Sequence, residues 1–233
     1  MQLDRIEIVL DTETTGLDRE KDRIVEIGCV KLVNFKVVDT YHQYINPECI
    51  ISEDVIAVHG IDNEKVKDMP VFKDIAQDFL DFIGSYNIVA HNGFFDLGFL
   101  NAELTRAGFK RINSLRLIDS LSLARQKFPG QSNKLDDLCL RYNIDTSDRV
   151  LHGALLDAEL LSKVYIELSG EKQRNLNLDY TKNLTLETKE NLKVRIRNRG
   201  VLSIEANKLN SHMKFVADNL GDKSLWAEHY KDE

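Results

Sequence analysis

The order of its segments constrains this chain more than any other feature. Three strand-like segments come first, and from about residue 70 helical segments alternate with short strands. Residues 5–11 alternate, with Ile6, Ile8 and Leu10 on one face, as in a half-buried strand. Segments 24–33 and 36–45 are rich in β-branched and aromatic residues, and only Asn34-Phe35 need lie between them, so an antiparallel meander is expected. Ser52-Glu53-Asp54 starts a short helix that Gly60 ends. Residues 71–83 repeat apolar positions at helical spacing up to Gly84, and 87–91 form a short strand. A helix over about 94–107 stops at Gly108, 115–118 is one more strand, and 119–127, 134–142 and 154–168 are helices. That succession predicts an α/β fold, a mixed sheet flanked by helices.

The 233 residues suffice for one good core, and no stretch approaches the roughly 18 uninterrupted apolar residues of a membrane span. Acidic residues come too early in MQLDRIEIVLD for a signal peptide. Cys29, Cys49 and Cys139 form no CxxC pair, so neither a disulfide framework nor a zinc site is expected. A reduced, cytoplasmic protein follows as the expectation. Net charge is −7, which excludes a protein coated in basic surface but not an enzyme that holds cations over nucleic acid. Residues 171–233 hold 12 Lys and Arg against 10 Asp and Glu, leaving 19 against 28 for residues 1–170. The two parts differ in character: 171–192 is polar and reads as a linker, and 193–233 is too small to build a large core alone.

Candidate chemistry lies in the first part. Asp11 and Glu13 are two apart at the end of the first strand, so both project from one face, where they repel unless a cation or proton intervenes. Asp11-Thr12-Glu13-Thr14-Thr15-Gly16 is equally rich in turn formers. Asp157 shares a helical stripe with Leu161, Val164 and Leu168, a costly place for a carboxylate unless it is compensated; the alternative is a surface acid in the first turn. Asp96 opens the helix that continues into Phe99-Leu100, with the same alternative. His152, beside Gly153, is five residues from Asp157, about 140° round a helix, so only a loop position can aim it at the same ligand. Four carboxylates and one His describe a site for hard cations, Mg²⁺ or Mn²⁺ rather than zinc. Two such ions clamp the attacking and leaving oxygens of a phosphodiester, and a neutral His can deprotonate water. No Walker loop, GxGxxG or GxSxG appears.

Asp11-Thr12-Glu13-Thr14-Thr15-Gly16, His91-Asn92-Gly93-Phe94-Phe95-Asp96 and His152-Gly153-Ala154-Leu155-Leu156-Asp157-Ala158-Glu159 resemble, in order and spacing, the three exonuclease motifs of the DEDDh family. The likeness covers residues 5–170 and is strongest to the branch that proofreads for bacterial replicative DNA polymerases. It implies a ribonuclease-H-like fold and 3′→5′ removal of nucleotides from DNA as 5′-monophosphates. Asp11, Glu13 and Asp157 would ligate two divalent ions and meet the substrate end, with Asp11 bridging. Asp96 would act through water and His152 as general base. In Val58-His59-Gly60-Ile61, which the family shares, His59 would contact the terminal nucleotide. Asp54 stands where this branch carries a Glu that bonds the terminal sugar.

A mispaired, frayed 3′ end enters such a site more readily, and Phe94 and Phe95 either stack on its bases or belong to the core. The acidic domain predicts weak affinity for DNA by itself, which suits an enzyme delivered by partners. In the tail, Gln173-Arg174-Asn175-Leu176-Asn177-Leu178 resembles sliding-clamp peptides, with Gln173, Leu176 and Leu178 as anchors. Lys189, Lys193, Arg195, Arg197 and Arg199 make a basic stretch, solvated or in contact with DNA. The segment through Ser224-Leu225-Trp226 resembles the part that docks the polymerase catalytic subunit. The same domain could serve repair or RNA turnover, or the chain could be a structural member of a polymerase assembly. The intact motif acids and His152 put the enzyme first.

Overall fold

In the computed structural model, the described residues are 4–147, 149, 151–170 and seven helical positions between 208 and 218. The chain divides into two units, Met1–Lys182 and Asn183–Glu233. The second contributes only those helical positions. Gln173, Leu176 and Leu178 of the first unit, and the basic stretch and Trp226 of the second, lie outside the described residues.

In the first unit, β1 (Ile6–Thr14), β2 (Ile24–Val33) and β3 (Lys36–Tyr44) form an antiparallel meander. Asn34 and Phe35 make the connection, with φ of 50° and 64°; two residues in this conformation match the twist of paired strands. After α1 (Glu53–His59), α2 (Asn63–Val66) and α3 (Phe72–Ile83), β4 (Asn87–Ala90) pairs parallel with β1 on its free side. The helix α4 (Phe94–Arg106) leads to β5 (Leu117–Asp119), parallel to β4, then to α5 (Ser120–Lys127), α6 (Leu135–Arg141) and α7 (Ala154–Leu168). The sheet order is β3-β2-β1-β4-β5.

Strand alternation sorts the core into two layers. Ile8 and Leu10 of β1 pack with Ile27, Cys29 and Ile88 against Phe79 and Ile83 of α3 and Phe99, Leu100 and Leu104 of α4. Val9, Val30, Leu32 and Val89 face the other way, onto Ala158, Leu161 and Tyr165 of α7. No helix among the described residues is long and apolar enough to cross a membrane.

Three departures from the sequence expectations have local causes. β1 does not end at residue 11: Asp11, Thr12 and Glu13 continue the ladder opposite Gly28, Ile27 and Glu26. The turn formers are therefore in strand, because β2 offers them partners. The strand expected at 115–118 begins at Leu117, after a 3₁₀ turn over Ser114–Arg116 that Asn113 caps by accepting the Leu115 N–H at 2.9 Å. The four-residue α2, capped by Asp62 from the Lys65 N–H, is too short to show helical spacing.

Candidate active site

Pairing between β1 and β4 stops at Val9 and Val89, so Asp11 to Thr14 run past the end of their parallel neighbour. This leaves an opening at the carboxyl end of β4, beside β1, where open α/β sheets place their sites. The first turns of two helices close it from opposite faces. From the α4 side comes Asp96, whose Oδ1 accepts a 2.8 Å hydrogen bond from the Thr12 hydroxyl. From the other side comes α7 with Asp157; both carboxylates are 4% exposed, so neither is a surface acid.

The start of α7 is held by two contacts with β2. The buried carboxylate of Glu26 accepts the Ala154 N–H at 3.0 Å and meets His42 Nε2 at 2.6 Å. Gly28 provides the clearance: a Cβ there would stand 2.2 Å from the Leu155 nitrogen. The preceding loop is tied to α1, since the His152 N–H donates to the Val58 carbonyl at 3.3 Å. That loop position solves the angular difficulty, and His152 Nδ1 lies 3.2 Å from Asp157 Oδ2.

Among the described residues, Glu13, His152 and Asp157 form a group whose ligand atoms all lie within 4.8 Å of one another. Asp11 adds its charge beside them. Burial pushes the Asp11 carboxyl well above its ordinary range, helped by the charges of Asp96, Glu13 and Asp157. Burial, with the charges of Asp157, Glu26 and Asp96, raises Glu13 to about 8. Asp96 is pushed up to about 7 by burial, against the pull of the Thr12 hydroxyl. Asp157 Oδ1 is buried and meets only Arg149 Nε, at 2.6 Å, without a directed hydrogen bond. Crowded carboxylates, a buried carboxylate oxygen whose pairing is imperfect and an imidazole are a donor set that fits a divalent cation.

A pH dependence follows from these shifts. The folded, ion-free protein keeps protons on Glu13 and Asp96 that an unfolded chain releases near the ordinary values of 4.5 and 3.8. Stability from these groups is therefore full below those values and is lost as pH rises through about 7 and 8. With chelator present, the Tm should fall from about pH 5 to about pH 8, and a saturating divalent ion should flatten the fall. A chelated Tm that climbs across this range would contradict the crowded site.

His59 ends α1, with Gly60 in the left-handed conformation at φ 70°. Its Nδ1 accepts the Ile61 N–H at 3.0 Å, and burial lowers its pKa against the opposing pull of the Thr14 backbone. Asp54 lies exposed in the first turn of α1. Phe95 packs on Phe99 with ring centroids 4.8 Å apart, whereas Phe94 stays exposed.

Three side chains that support the site, Glu26, Thr12 and Arg149, are not singled out by any of the sequence motifs. Glu26 carried a signal, a lone acid within the apolar run of 24–33. Arg149 carried none, yet its guanidinium reaches Asp157, His152 and Asp136.

A mixed five-stranded sheet with acidic residues gathered where β1 outruns β4 defines a ribonuclease-H-like, metal-dependent nuclease. The exonuclease family RNase_T matches residues 8–165. The DNA polymerase III subunit epsilon of Rickettsia felis (strain ATCC VR-1525 / URRWXCal2) is 50% identical over 173 residues, covering 72% of this chain and 75% of that protein. The same subunit of Buchnera aphidicola subsp. Schizaphis graminum (strain Sg) is 39% identical over 228 residues, 91% of this chain and 97% of its own. Among solved structures, the nuclease domain of 3′hExo, a DEDDh family member, bound to rAMP, superposes with a TM-score of 0.63 at 20% identity, covering 72% of this chain and 93% of that one. The chain belongs to this exonuclease family, alongside the epsilon subunits of DNA polymerase III. Membership carries dependence on a divalent metal.

Proposed function

We propose that this protein is the proofreading 3′→5′ exonuclease of a replicative DNA polymerase, its epsilon subunit, and that it hydrolyses the last phosphodiester of a DNA 3′ end to release nucleoside 5′-monophosphates. The observation that carries this is the convergence of Glu13, His152 and Asp157 within 4.8 Å, beside Asp11 and Asp96. When bound, two divalent ions, Mg²⁺ or Mn²⁺, supply charge stabilisation at the attacking and leaving oxygens. Asp11, Glu13 and Asp157 would hold them and face the substrate end, and Asp96, whose position the Thr12 hydroxyl sets, would complete the acidic set.

His152 is the general base. Its Nδ1 can accept from Arg149 or donate to Asp157. Only the second arrangement leaves Nε2 without a proton, free to take one from the attacking water. His59, at the end of α1, meets the terminal nucleotide, and Asp54, exposed on the same helix, meets the terminal sugar. Exposed Phe94 stacks on a splayed base. A frayed end has already lost its pairing energy, which favours mismatches.

The test is product length over time on 5′-labelled single-stranded DNA and RNA of one sequence, with Mg²⁺, Mn²⁺ or chelator. A one-nucleotide ladder on DNA that chelator abolishes is expected. Faster loss of RNA would move the protein to RNA turnover, and no cleavage of either would revive a structural role.

Residues 1–170 form the catalytic domain, 171–192 a linker carrying the sliding-clamp peptide Gln173, Leu176 and Leu178, and 193–233 the segment that docks the polymerase III alpha subunit. The weak binding expected of an acidic domain makes both partners necessary for delivery to DNA in the cytoplasm. Removing residues 171–233 should leave single-strand cleavage within about twofold of the full chain, while co-purification with the alpha subunit is lost. An inactive truncation would place the boundary elsewhere.

A further inference from the structure

The carboxylate cluster already contains a cation, and it is supplied by the chain. The Arg149 side chain is 8% exposed, and its Nε lies 2.6 Å from Asp157 Oδ1. Its Nη2 donates to Asp157 Oδ2 at 2.7 Å and meets His152 Nδ1 at 2.7 Å. The remaining nitrogen, Nη1, pairs with Asp136 at the start of α6, whose side chain is 64% exposed. Two of the three residues that can share a divalent ion are thus engaged by one guanidinium.

The pair with Asp157 is close but imperfect. Nε and Oδ1 are both buried, and neither has a directed hydrogen bond despite their proximity. A fork aligned with a carboxylate makes two parallel hydrogen bonds, whereas here only the Nη2 contact is well directed. A smaller, doubly charged ion can occupy the same carboxylate more favourably. There is also room to leave: a cavity of about 240 Å³ lined by Asp136, Thr146, Arg149, Leu151 and His152 adjoins the guanidinium. Asp136 lies on its wall and remains a counterion for a displaced Arg149.

We propose that Arg149 is a built-in competitor for the divalent ion, neutralising Asp157 in the ion-free protein and withdrawing toward Asp136 as the ion enters. This rests on the nuclease reading above, because it takes Asp157 as an ion ligand. The arrangement keeps an acidic cleft folded before loading, and it weakens ion affinity by the fraction of molecules in which Arg149 holds the site.

The experiment uses the full chain without DNA and Mn²⁺ alone as probe. Calorimetric titration of R149Q should show Mn²⁺ binding about tenfold tighter than the native chain, the gain expected if Arg149 holds the site in roughly nine molecules of ten. In chelator, the Tm of R149Q should fall below native, since Asp157 then stands buried without a counter-charge, and Mn²⁺ should restore most of the difference. A purely structural role for Arg149 would lower the Tm equally with and without Mn²⁺. If R149Q does not fold, R149K carries the test: it keeps the charge without the fork and should bind about threefold tighter. Equal or weaker Mn²⁺ affinity in the folded variant, beside clear binding by the native chain, overturns the competitor alone. Absence of Mn²⁺ binding by the native chain overturns the nuclease reading as well.

Discussion

Replacing Asp11 by Ala should slow hydrolysis of a DNA 3′ end by at least about a thousandfold, the loss of roughly 4 kcal/mol of charge stabilisation at the reacting phosphate. The same variant should be more stable than native near pH 8 in chelator. Burial and the charges of Asp96, Glu13 and Asp157 hold the Asp11 carboxyl far above its ordinary range. Removing it therefore relieves repulsion that the folded state feels and the unfolded chain does not. The two results point in opposite directions, which separates a functional acid from a structural one. Single-turnover cleavage and a thermal melt on the same preparation decide between them. A Tm that drops along with activity would make Asp11 part of the scaffold.

Gly28→Ala should be the most damaging single methyl group in the sheet. The added Cβ would meet the Leu155 nitrogen at 2.2 Å and the Ala154 carbonyl carbon at 2.3 Å. These are backbone atoms at the start of α7 and cannot rotate away, so the helix must lift from β2. Such overpacking costs about 3 kcal/mol, or about 10 °C in Tm for a domain of this size. Activity should fall further than stability explains. Asp157 is in the first turn of α7 and His152 precedes its N-cap Gly153, and displacement by an ångström is worth about a hundredfold in rate. Gly153→Ala serves as the contrast for stability: the nearest atom to its Cβ would be Glu26 Oε2 at 4.0 Å, and its φ of −157° is ordinary extended backbone. A Gly28→Ala protein with native Tm and native rate would mean that the position of α7 does not set the site.

Much of this architecture was legible in the residues. The spacing that marks 71–83 and 154–168 as helices is the spacing that buries Phe79 and Ile83 on one face and Leu161 and Tyr165 on the other. An acid on the apolar stripe of α7 was anomalous in one dimension, and the structure explains it by the cluster it enters. What could not be read were the supports. Asp11 to Glu13 carry a turn's composition, and only pairing with Gly28 to Glu26 keeps them extended. Glu26 caps a helix 128 residues away, and Thr12 orients an acid 84 residues away. Neither distance has a periodic signature.

The sequence by itself determined which groups could do chemistry here, because residue type sets charge, ligand preference and the face a side chain must take on its own element. Which groups meet was decided only by the tertiary structure. β1 outruns β4, so two helices can bring Asp96 and Asp157 to the same end of the sheet from opposite faces. Arg149 entered that cluster unannounced. A buried carboxylate attracts whichever cation the fold brings within reach, and reach is a property of packing rather than of order along the chain.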